Sequence, residues 1–261
     1  MPQYALARHV FVCLQDEHVV FLDVHQDRYF ALEAAKTTGL GEFVPGWPVP
    51  ARSIEVDAQR QANGPSVQAG GYQPDHGTLS HVIGLLLEKG VLIGAPEGGP
   101  QDIKKSGKAA TPVKAEVPLS DLTDTLDDPP RIGAGMFVRF TAAAIRASLM
   151  LKYRTFENVI DRVARRLARP PSRDAVLDIE RARQLVGVFA TLRPFFFTSK
   201  NECLFDALAL SEFLAAYAIY PRWVFAVQAR PFAAHCWLQH GSIVFNDTVE
   251  HVRRYTPIMV V

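Results

Sequence analysis

The chain has 261 residues, of which 48% are hydrophobic and 21% are charged, and its formal net charge is +1. This composition is typical of a globular protein and excludes wholesale disorder. The near-neutral charge gives no electrostatic reason to expect a nucleic acid or an anionic membrane as a partner.

The N-terminus and the cysteines bear on the compartment. The first twenty residues lack a basic start followed by an apolar segment, so no signal peptide is predicted. No apolar run approaches the roughly 20 residues of a membrane helix. Three widely spaced cysteines, at positions 13, 203 and 236, do not resemble a secreted disulfide framework. We therefore expect a cytoplasmic protein with reduced thiols and no stable membrane insertion.

The first block of the chain is predicted to be a small sheet with a helix. Three runs rich in Val and Phe, HVFVCL, HVVFLDV and RYFALE, predict a three-stranded meander. The segment TLSHVIGLLLEKGVLIG predicts a helix, with Thr78 as its N-cap and Gly90 as its stop. The Gly- and Pro-rich residues 41–77 between them carry no clear element. We predict a domain over residues 1–94.

The middle of the chain is predicted to be a linker. Residues 95–132 are rich in Pro, Gly, Lys and Asp and contain few large apolar side chains. Such a segment buries too little apolar surface to order itself, so we expect it to be mostly flexible.

The second block, residues 133–261, is predicted to be an α+β domain. Four segments between residues 136 and 218 carry apolar residues at spacings of three and four, which indicates helices. The period then changes to two in RWVFAVQA, AHCWLQ and SIVFND, which indicates three strands. Helices followed by an antiparallel sheet make an α+β fold.

The run PFAAHCWLQHGSIVFND, residues 231–247, combines polar side chains with an apolar hairpin pattern. A three-residue turn at 240–242 places His235 opposite Asp247, close enough for the carboxylate to hydrogen-bond the imidazole. A two-residue loop shifts the register by one, and we expect Asn246 opposite the histidine in that case. The contact therefore depends on the length of the turn.

Cys203 is the candidate nucleophile for this histidine. It lies at the predicted start of a helix, where free N–H groups and the helix dipole lower a thiol pKa. Lys200 adds positive charge, and Asn201 is a candidate helix cap. Cysteine, histidine and aspartate in this chain order are typical of papain-like and transglutaminase-like enzymes.

A metal site and purely structural roles are the alternatives for these residues. A metal site needs Cys203, His235, Cys236 and one more ligand to converge, but there is no CxxC, HxxxH or HExxH pair. Strand alternation also separates His235 from Cys236, so we assign Cys236 to the core and predict no metal. We expect His240 and His251 to be solvated. A buried cysteine and a strand histidine are also compatible with packing alone.

The last seventy residues resemble the lasso-peptide biosynthesis B proteins, which are transglutaminase-like leader peptidases. The resemblance lies in a CL…AL…L helix, a V…PFxAHxW strand and a G…ND strand, all present between residues 203 and 247. It implies a papain-like or transglutaminase-like fold and places the family's catalytic residues on Cys203, His235 and Asp247. Cys236, where a small alanine is usual, departs from the family pattern, as does Asp206, where a basic residue is frequent.

The N-terminal block resembles PqqD-like leader-recognition domains, which are small winged-helix-like folds of a sheet plus a helix. The resemblance is carried by VVFLDVHQDRYFALE and the later LLEKGVLIG. It implies that a leader peptide adds as a strand to the sheet edge and rests against the helix. The implied groove residues are Arg28, Tyr29, Phe30, Ala31, Leu32, Leu79, Val82, Ile83 and Leu86. Residues 41–77 depart from the compact pattern of such domains.

The resemblance implies cleavage of the leader–core bond of a lasso-peptide precursor through a cysteine thioester. The partners would be the precursor's leader peptide and an asparagine-synthetase-like cyclase that closes the freed core. We expect no directly bound cofactor, although activity could depend on ATP through the cyclase. Two rival functions remain, a transglutaminase-like acyltransferase with an amine acceptor and a non-catalytic leader-binding scaffold.

Overall fold

A computed structural model describes residues 4–48, 76–94, 107–110, 113–123, 130–167, 177–196 and 203–261. The chain divides into two compact units. Unit 1 comprises residues 1–113 with 229–232, and unit 2 comprises residues 114–228 with 233–261. The mixed α+β architecture expected from the sequence is confirmed, and the predicted site residues of the second block all lie in unit 2.

The described part of unit 1 contains two small antiparallel sheets. The first is the predicted meander, in the order β2-β3-β4. The second has the order β5-β1-β6 and was not predicted, because its strands are too short to show a period. The strands of unit 1 are β1 (Tyr4–Ala7), β2 (Val10–Gln15), β3 (His18–Asp23), β4 (Arg28–Glu33), β5 (Leu92–Gly94) and β6 (Gly107–Lys108).

Two helices complete the described part of unit 1. Helix α1 (Ala34–Thr37) continues into a 3₁₀ turn (Thr38–Glu42), and α2 (His76–Glu88) packs on the apolar core. The predicted N-cap of α2 is wrong, since Thr78 lies inside the helix. Its predicted stop is confirmed, because Gly90 has a φ of +68°, a left-handed conformation that glycine adopts without strain.

The boundary between the units falls inside residues 95–132, the predicted linker. Its described residues include strand β6, which pairs with β1 of unit 1. They also include β7 (Ser120–Asp121), which pairs in parallel with β10 (Ile243–Val244) of unit 2. Strands β6 and β7 are therefore parts of the two sheets, whereas residues 95–106, 111–112 and 124–129 lie outside the described residues.

Four helices described in unit 2 occupy the positions that the apolar periodicity predicts, and a fifth, short helix was not predicted. A short 3₁₀ turn (Arg193–Phe195) follows the third of them. Both α3 and β9 pack on the fourth helix, in which every residue from Asp206 to Leu214 is buried. The helices are α3 (Ala134–Tyr153), α4 (Phe156–Leu167), α5 (Ile179–Leu192), α6 (Cys203–Ala215) and the short α7 (Val249–Val252).

Helix α3 is long and apolar enough to cross a membrane, by length and composition alone. This corrects the expectation that no apolar run approaches that length. Five alanines and two methionines contribute to the hydropathy of a stretch that also holds Arg139 and Arg146. One face of the helix is buried in unit 2, including Phe140, Ala147 and Met150. A single marginal helix of this kind is compatible with a soluble protein.

The sheet of unit 2 has five strands in the order β11-β8-β9-β10-β7. The longer strands are β8 (Arg222–Gln228), β9 (Ala233–His240) and β11 (Thr256–Val260), and they pair in antiparallel fashion. In the β8–β9 register Phe225 pairs with Cys236 and Ala226 pairs with His235. Paired residues share a face, so Cys236 and His235 project to opposite sides of the sheet, as predicted.

Candidate active site

Cys203 is the first residue of helix α6. The helix is buried on all sides from Asp206 to Leu214, as expected for an element enclosed between a second helix and a sheet. The first residues of a helix have N–H groups without intrahelical partners, and the macrodipole makes this end positive. The fold therefore holds Cys203 at an end of a buried helix, where a thiolate is favoured.

His235 and Asp247 are in contact, as the sequence predicts. The Nε2 atom of His235 and the Oδ2 atom of Asp247 form a short hydrogen-bonded ion pair. The two side chains are only 15% and 16% exposed. The carboxylate is therefore shielded enough from water to hold the imidazole in one orientation.

The predicted register of the hairpin is wrong, although the contact is right. Ile243 pairs with His240 and Val244 with Gln239, so the loop has two residues, Gly241 and Ser242. Gly241 has a φ of +57°, which suits a two-residue hairpin that begins with glycine. The alternative of Asn246 opposite His235 is wrong too, since the observed pairing shifts in the other direction.

Asp247 reaches His235 because the strand ends early. Strand β10 stops at Val244, and Asn246 then turns its side chain into the sheet. Its Oδ1 atom accepts the Leu238 N–H at 2.8 Å, where a regular ladder would supply a backbone carbonyl. This substitution bends the chain and brings the next residue, Asp247, towards the imidazole.

Cys203 and His235 form a thiolate–imidazolium pair. Hydrogen bonds from Cys236 and His235, together with the charge of His235, outweigh burial and lower the pKa of Cys203 from 9.0 to about 4. Burial alone would lower the pKa of His235, but its bonds to Asp247 and Cys203 raise it to about 9. The ionised pair is therefore the form present between these values.

Cys236 takes part in the site, which corrects its assignment to packing alone. The residue is 3% exposed, and burial raises the pKa of its thiol well above the ordinary value. The Cys236 thiol therefore keeps its proton and donates a hydrogen bond to the Cys203 sulfur. This bond is the largest influence on the Cys203 pKa, and the backbone N–H of Cys236 donates to the same sulfur. Strand alternation places Cys236 on the face opposite His235, so the two neighbours approach Cys203 from different directions.

His251 also contacts the site, although a solvated side chain was expected. Its Nδ1 atom lies 3.0 Å from Oδ1 and 2.9 Å from Oδ2 of Asp247. The side chain is 40% exposed, and its ring centroid lies 4.8 Å from that of His235. A carboxylate four residues before a histidine on a short helix is the sequence signal for this contact, but it is too common to stand out.

His235, Asp247 and His251 could also hold a metal ion by geometry alone. One ligand atom from each lies within 4.8 Å of the others. All three atoms already make hydrogen bonds with one another, which explains their proximity without an ion. Among the described residues this is the one such cluster.

A buried polar network and a cavity adjoin the site. Asp206 is 6% exposed, and this burial raises the pKa of its carboxyl group. A hydrogen bond from Asn246 at 3.1 Å and the guanidinium of Arg193 at 3.1 Å partly offset this increase in pKa. All three side chains line a cavity of about 320 Å³. Asp206 lies three residues after Cys203 on α6, but Cys203, His235 and Asp247 are not among the residues that line this cavity.

The predicted leader-groove residues all lie in unit 1. Strand β4 is an edge of its sheet among the described residues, and Arg28 and Ala31 are exposed. Val82 and Leu86 are instead 7% and 0% exposed, which leaves them little surface to offer a ligand. The remaining predicted residues, Tyr29, Phe30, Leu32, Leu79 and Ile83, are partly buried.

Lys200 and Asn201, predicted to assist Cys203, lie outside the described residues, as does most of the unassigned stretch 41–77. The role of Asn201 as the cap of α6 therefore stays a prediction, and the fold of most of residues 41–77 stays unassigned.

Comparison with known proteins finds a family match over part of the chain. Residues 143–260 match the family model described as the transglutaminase-like superfamily. The match runs from the middle of α3 to β11 and includes Cys203, His235 and Asp247. Neither the curated proteins nor the solved structures contain a significant match to this chain.

Proposed function

Starting from the transglutaminase-like domain at residues 143–260, we propose that this protein is a cysteine peptidase with the catalytic residues Cys203, His235 and Asp247. The superfamily includes cysteine proteases, which use a thiolate, an imidazole and an orienting side chain. The observation that carries the proposal is the lowered Cys203 pKa beside a histidine whose raised pKa depends on Asp247.

The reaction would begin with attack of the Cys203 thiolate on the carbonyl carbon of the scissile peptide bond. Because Nε2 of His235 is bonded to Asp247, Nδ1 is the nitrogen left to protonate the leaving amine. The C–N bond then breaks and leaves a thioester. Water attacks this thioester after losing a proton to the now neutral His235, and the acid product and the free thiolate pair are restored.

Hydrogen-bond donors for the developing oxyanion would come from backbone N–H groups at the start of helix α6. These groups are free of intrahelical bonds, and the helix dipole favours negative charge there. The Cys236 thiol and N–H hold the sulfur from the sheet side before attack. They would thus stabilise the nucleophile, whereas the helix end would stabilise the transition state.

We propose further that the substrate is the precursor of a lasso peptide, cut at the leader–core junction. The support is the resemblance of residues 203–247 to lasso-peptide B proteins and of unit 1 to PqqD-like domains. The leader would add as a strand beside β4, which is an edge of its sheet among the described residues. An asparagine-synthetase-like cyclase would use ATP to close the released core, all in the cytoplasm, and no cofactor would bind this chain directly.

Transfer to an amine is the second candidate function, because it shares every step up to the thioester. A non-catalytic leader-binding scaffold is the third, and it does not account for the pKa shifts of Cys203 and His235. The acceptor that attacks the thioester distinguishes the first two functions.

Mass spectrometry of a precursor peptide tests these functions. The precursor would be encoded beside the gene for this chain, together with a cyclase. Wild-type protein should cut one bond and give two products whose masses sum to the precursor mass plus about 18 Da, as expected for addition of water. Cys203→Ala should abolish cleavage, and Cys13→Ala, at a buried cysteine of unit 1, is the matched control that should retain it. Unchanged cleavage by Cys203→Ala would exclude the peptidase, and an amine adduct would favour the transferase.

A further inference from the structure

We propose that His251 is a positioning residue of this centre, which orients the Asp247 carboxylate for His235. This inference rests on the proposed cysteine chemistry and adds a fourth residue to it. The Nδ1 atom of His251 lies within 3.0 Å of both carboxylate oxygens. Since an ionised carboxylate can only accept hydrogen bonds, Nδ1 must carry the proton.

The backbone holds the His251 ring in place. Its N–H donates to Oγ1 of Thr248, the N-cap of α7, at 3.3 Å. Val249, the residue after Thr248, is bonded to the sheet, because its N–H donates to Oδ2 of Asp121 at 3.0 Å. Helix α7 is thereby held both at its N-cap and at the sheet edge. The backbone from which the His251 side chain projects is therefore fixed.

Aromatic packing fixes the orientation of the ring. Tyr255 makes an edge-to-face contact with His251, with centroids 5.4 Å apart and planes at 83°. The same tyrosine lies 5.2 Å from the His235 ring, so both imidazoles pack on one side chain. The two histidines and the carboxylate between them therefore form one packed group.

Asp247 needs an orienting donor because its backbone is outside the sheet. Strand β10 ended at Val244, and the described backbone contact at Asp247 is local: Oδ1 accepts the Thr248 N–H at 2.7 Å. That bond anchors one oxygen only. The His251 bond spans both oxygens, so it fixes rotation of the carboxylate and with it the angle at which Oδ2 meets His235.

The charges around Asp247 increase the need for this donor. The negative charge of Asp247 opposes the ionisation of two carboxyl groups, Asp121 on β7 and Asp206 on α6. Burial is the main cause of the raised Asp206 pKa; burial also acts to raise the Asp121 pKa, but hydrogen bonds from Thr123 and Val249 hold it below its usual value. Against these, His235 from β9 and His251 from α7 supply the hydrogen bonds that lower the Asp247 pKa. Removing one of two such donors leaves His235 alone to keep the carboxylate ionised and aligned.

A pair of nearly isosteric variants tests the proposal. His251→Asn places an amide N–H near the position of Nδ1, whereas His251→Leu has similar size and no donor. The first readout is the pH dependence of Cys203 alkylation by iodoacetamide, which reports the thiolate–imidazolium pair and needs no peptidase substrate. The upper inflection of this profile is the pH at which His235 loses its proton and the paired thiolate becomes a free thiolate. His251→Leu should move this inflection to lower pH by about one unit, corresponding to loss of one hydrogen bond to a charged group, and His251→Asn should stay near wild type.

The second readout is precursor cleavage. His251→Leu should lower kcat about tenfold or more with KM nearly unchanged, and His251→Asn should restore most of it. A leucine variant that matches wild type in both readouts, or an asparagine variant no better than leucine, would overturn the proposal. If neither the wild-type protein nor a variant cleaves a precursor, the proposed function is wrong. The alkylation profile still tests the role of His251 in that case.

A measurement on the wild-type protein covers the case in which His251→Leu does not fold. Histidine ¹⁵N chemical shifts distinguish a protonated Nδ1 from an unprotonated one. A protonated Nδ1 on His251 in the range where the pair is ionised supports the proposal. An unprotonated Nδ1 there would overturn it, because no hydrogen bond to Asp247 could then exist.

Discussion

Asp247 hydrogen-bonds His235 even though the hairpin register does not pair the two residues. The contact is made after the strand has ended, by a chain that Asn246 turns towards the imidazole. The position of the carboxylate is therefore set by side-chain hydrogen bonds more than by the sheet ladder. Substitutions in this segment should affect chemistry before they affect folding.

Asp247→Asn should reduce kcat by about a hundredfold or more, because an amide cannot stabilise the His235 imidazolium and favours the wrong tautomer. Steady-state kinetics on the precursor would measure this loss. Asp161→Asn, at an exposed carboxylate on helix α4, is the control and should be indistinguishable from wild type. Equal kcat values for the Asp247 variant and wild type would contradict the role of Asp247.

Alkylation of Cys203 should remain fast down to mildly acidic pH. Its folded pKa is about 4, so the thiolate is lost only as the pH falls through that value. An ordinary thiol has a pKa of about 8.5 and would be nearly unreactive at pH 6. Peptide mapping after a short iodoacetamide pulse at pH 6 should therefore find Cys203 labelled and the buried Cys13 and Cys236 unlabelled.

The alkaline limit of catalysis should lie near the His235 pKa of about 9. Above that pH the imidazolium loses its proton and no longer donates to the leaving amine, so kcat should fall while the thiolate persists. The pH profile of kcat would show this limb. Activity that rises steadily through pH 9 and beyond would show that His235 is not the acid.

Cys236→Ala should raise the pKa of Cys203, because it removes the thiol hydrogen bond that lowers this pKa most. Cys236→Ser is the matched variant, since its hydroxyl keeps a donor at the same position. The half-point of the alkylation profile should move to higher pH in the alanine variant and less so in the serine variant. Identical profiles for all three proteins would mean that the Cys236 thiol does not act on Cys203.

Leader binding should protect one sheet edge of unit 1 and not the other. The sheet β2-β3-β4 has two edges, and the proposed leader strand adds only beside β4. Hydrogen exchange on the full chain with a synthetic leader should slow in residues 28–33, and residues 10–15 of β2 provide the internal control. Equal effects at both edges, or none, would contradict the proposed groove.

The sequence alone predicts the helix and the strands that carry the candidate site. It also predicts three of the side chains that the structure brings together there. Long apolar patterns at helical spacing predict α6, and alternation predicts β8 and β9, because these elements bury continuous faces in unit 2. The residues Cys203, His235 and Asp247 follow from helix-end chemistry and strand faces. The correct His235–Asp247 contact was nevertheless predicted from an incorrect register.

The remaining features of the site depend on contacts that local sequence patterns do not reveal. Asn246 substitutes a side chain for a ladder carbonyl, and this is visible only once Leu238 is known to lie opposite. Cys236 was assigned to the opposite face correctly, but the approach of Cys203 from the helix layer makes that face part of the site. His251 belongs to a four-residue helix, too short for any periodicity to predict.

The nucleophile and its base differ in how firmly the backbone holds them. Cys203 occupies the first turn of α6, whereas His235 lies within a strand paired to β8. Helix ends open locally at free energies well below that of global unfolding. Warming should therefore separate sulfur from imidazole by fraying a single turn, and turnover should decline at temperatures where the far-ultraviolet circular dichroism of the sheet and helices is still native. A substrate seated against the end of α6 would oppose that fraying, so thermal inactivation should be slower during turnover than at rest.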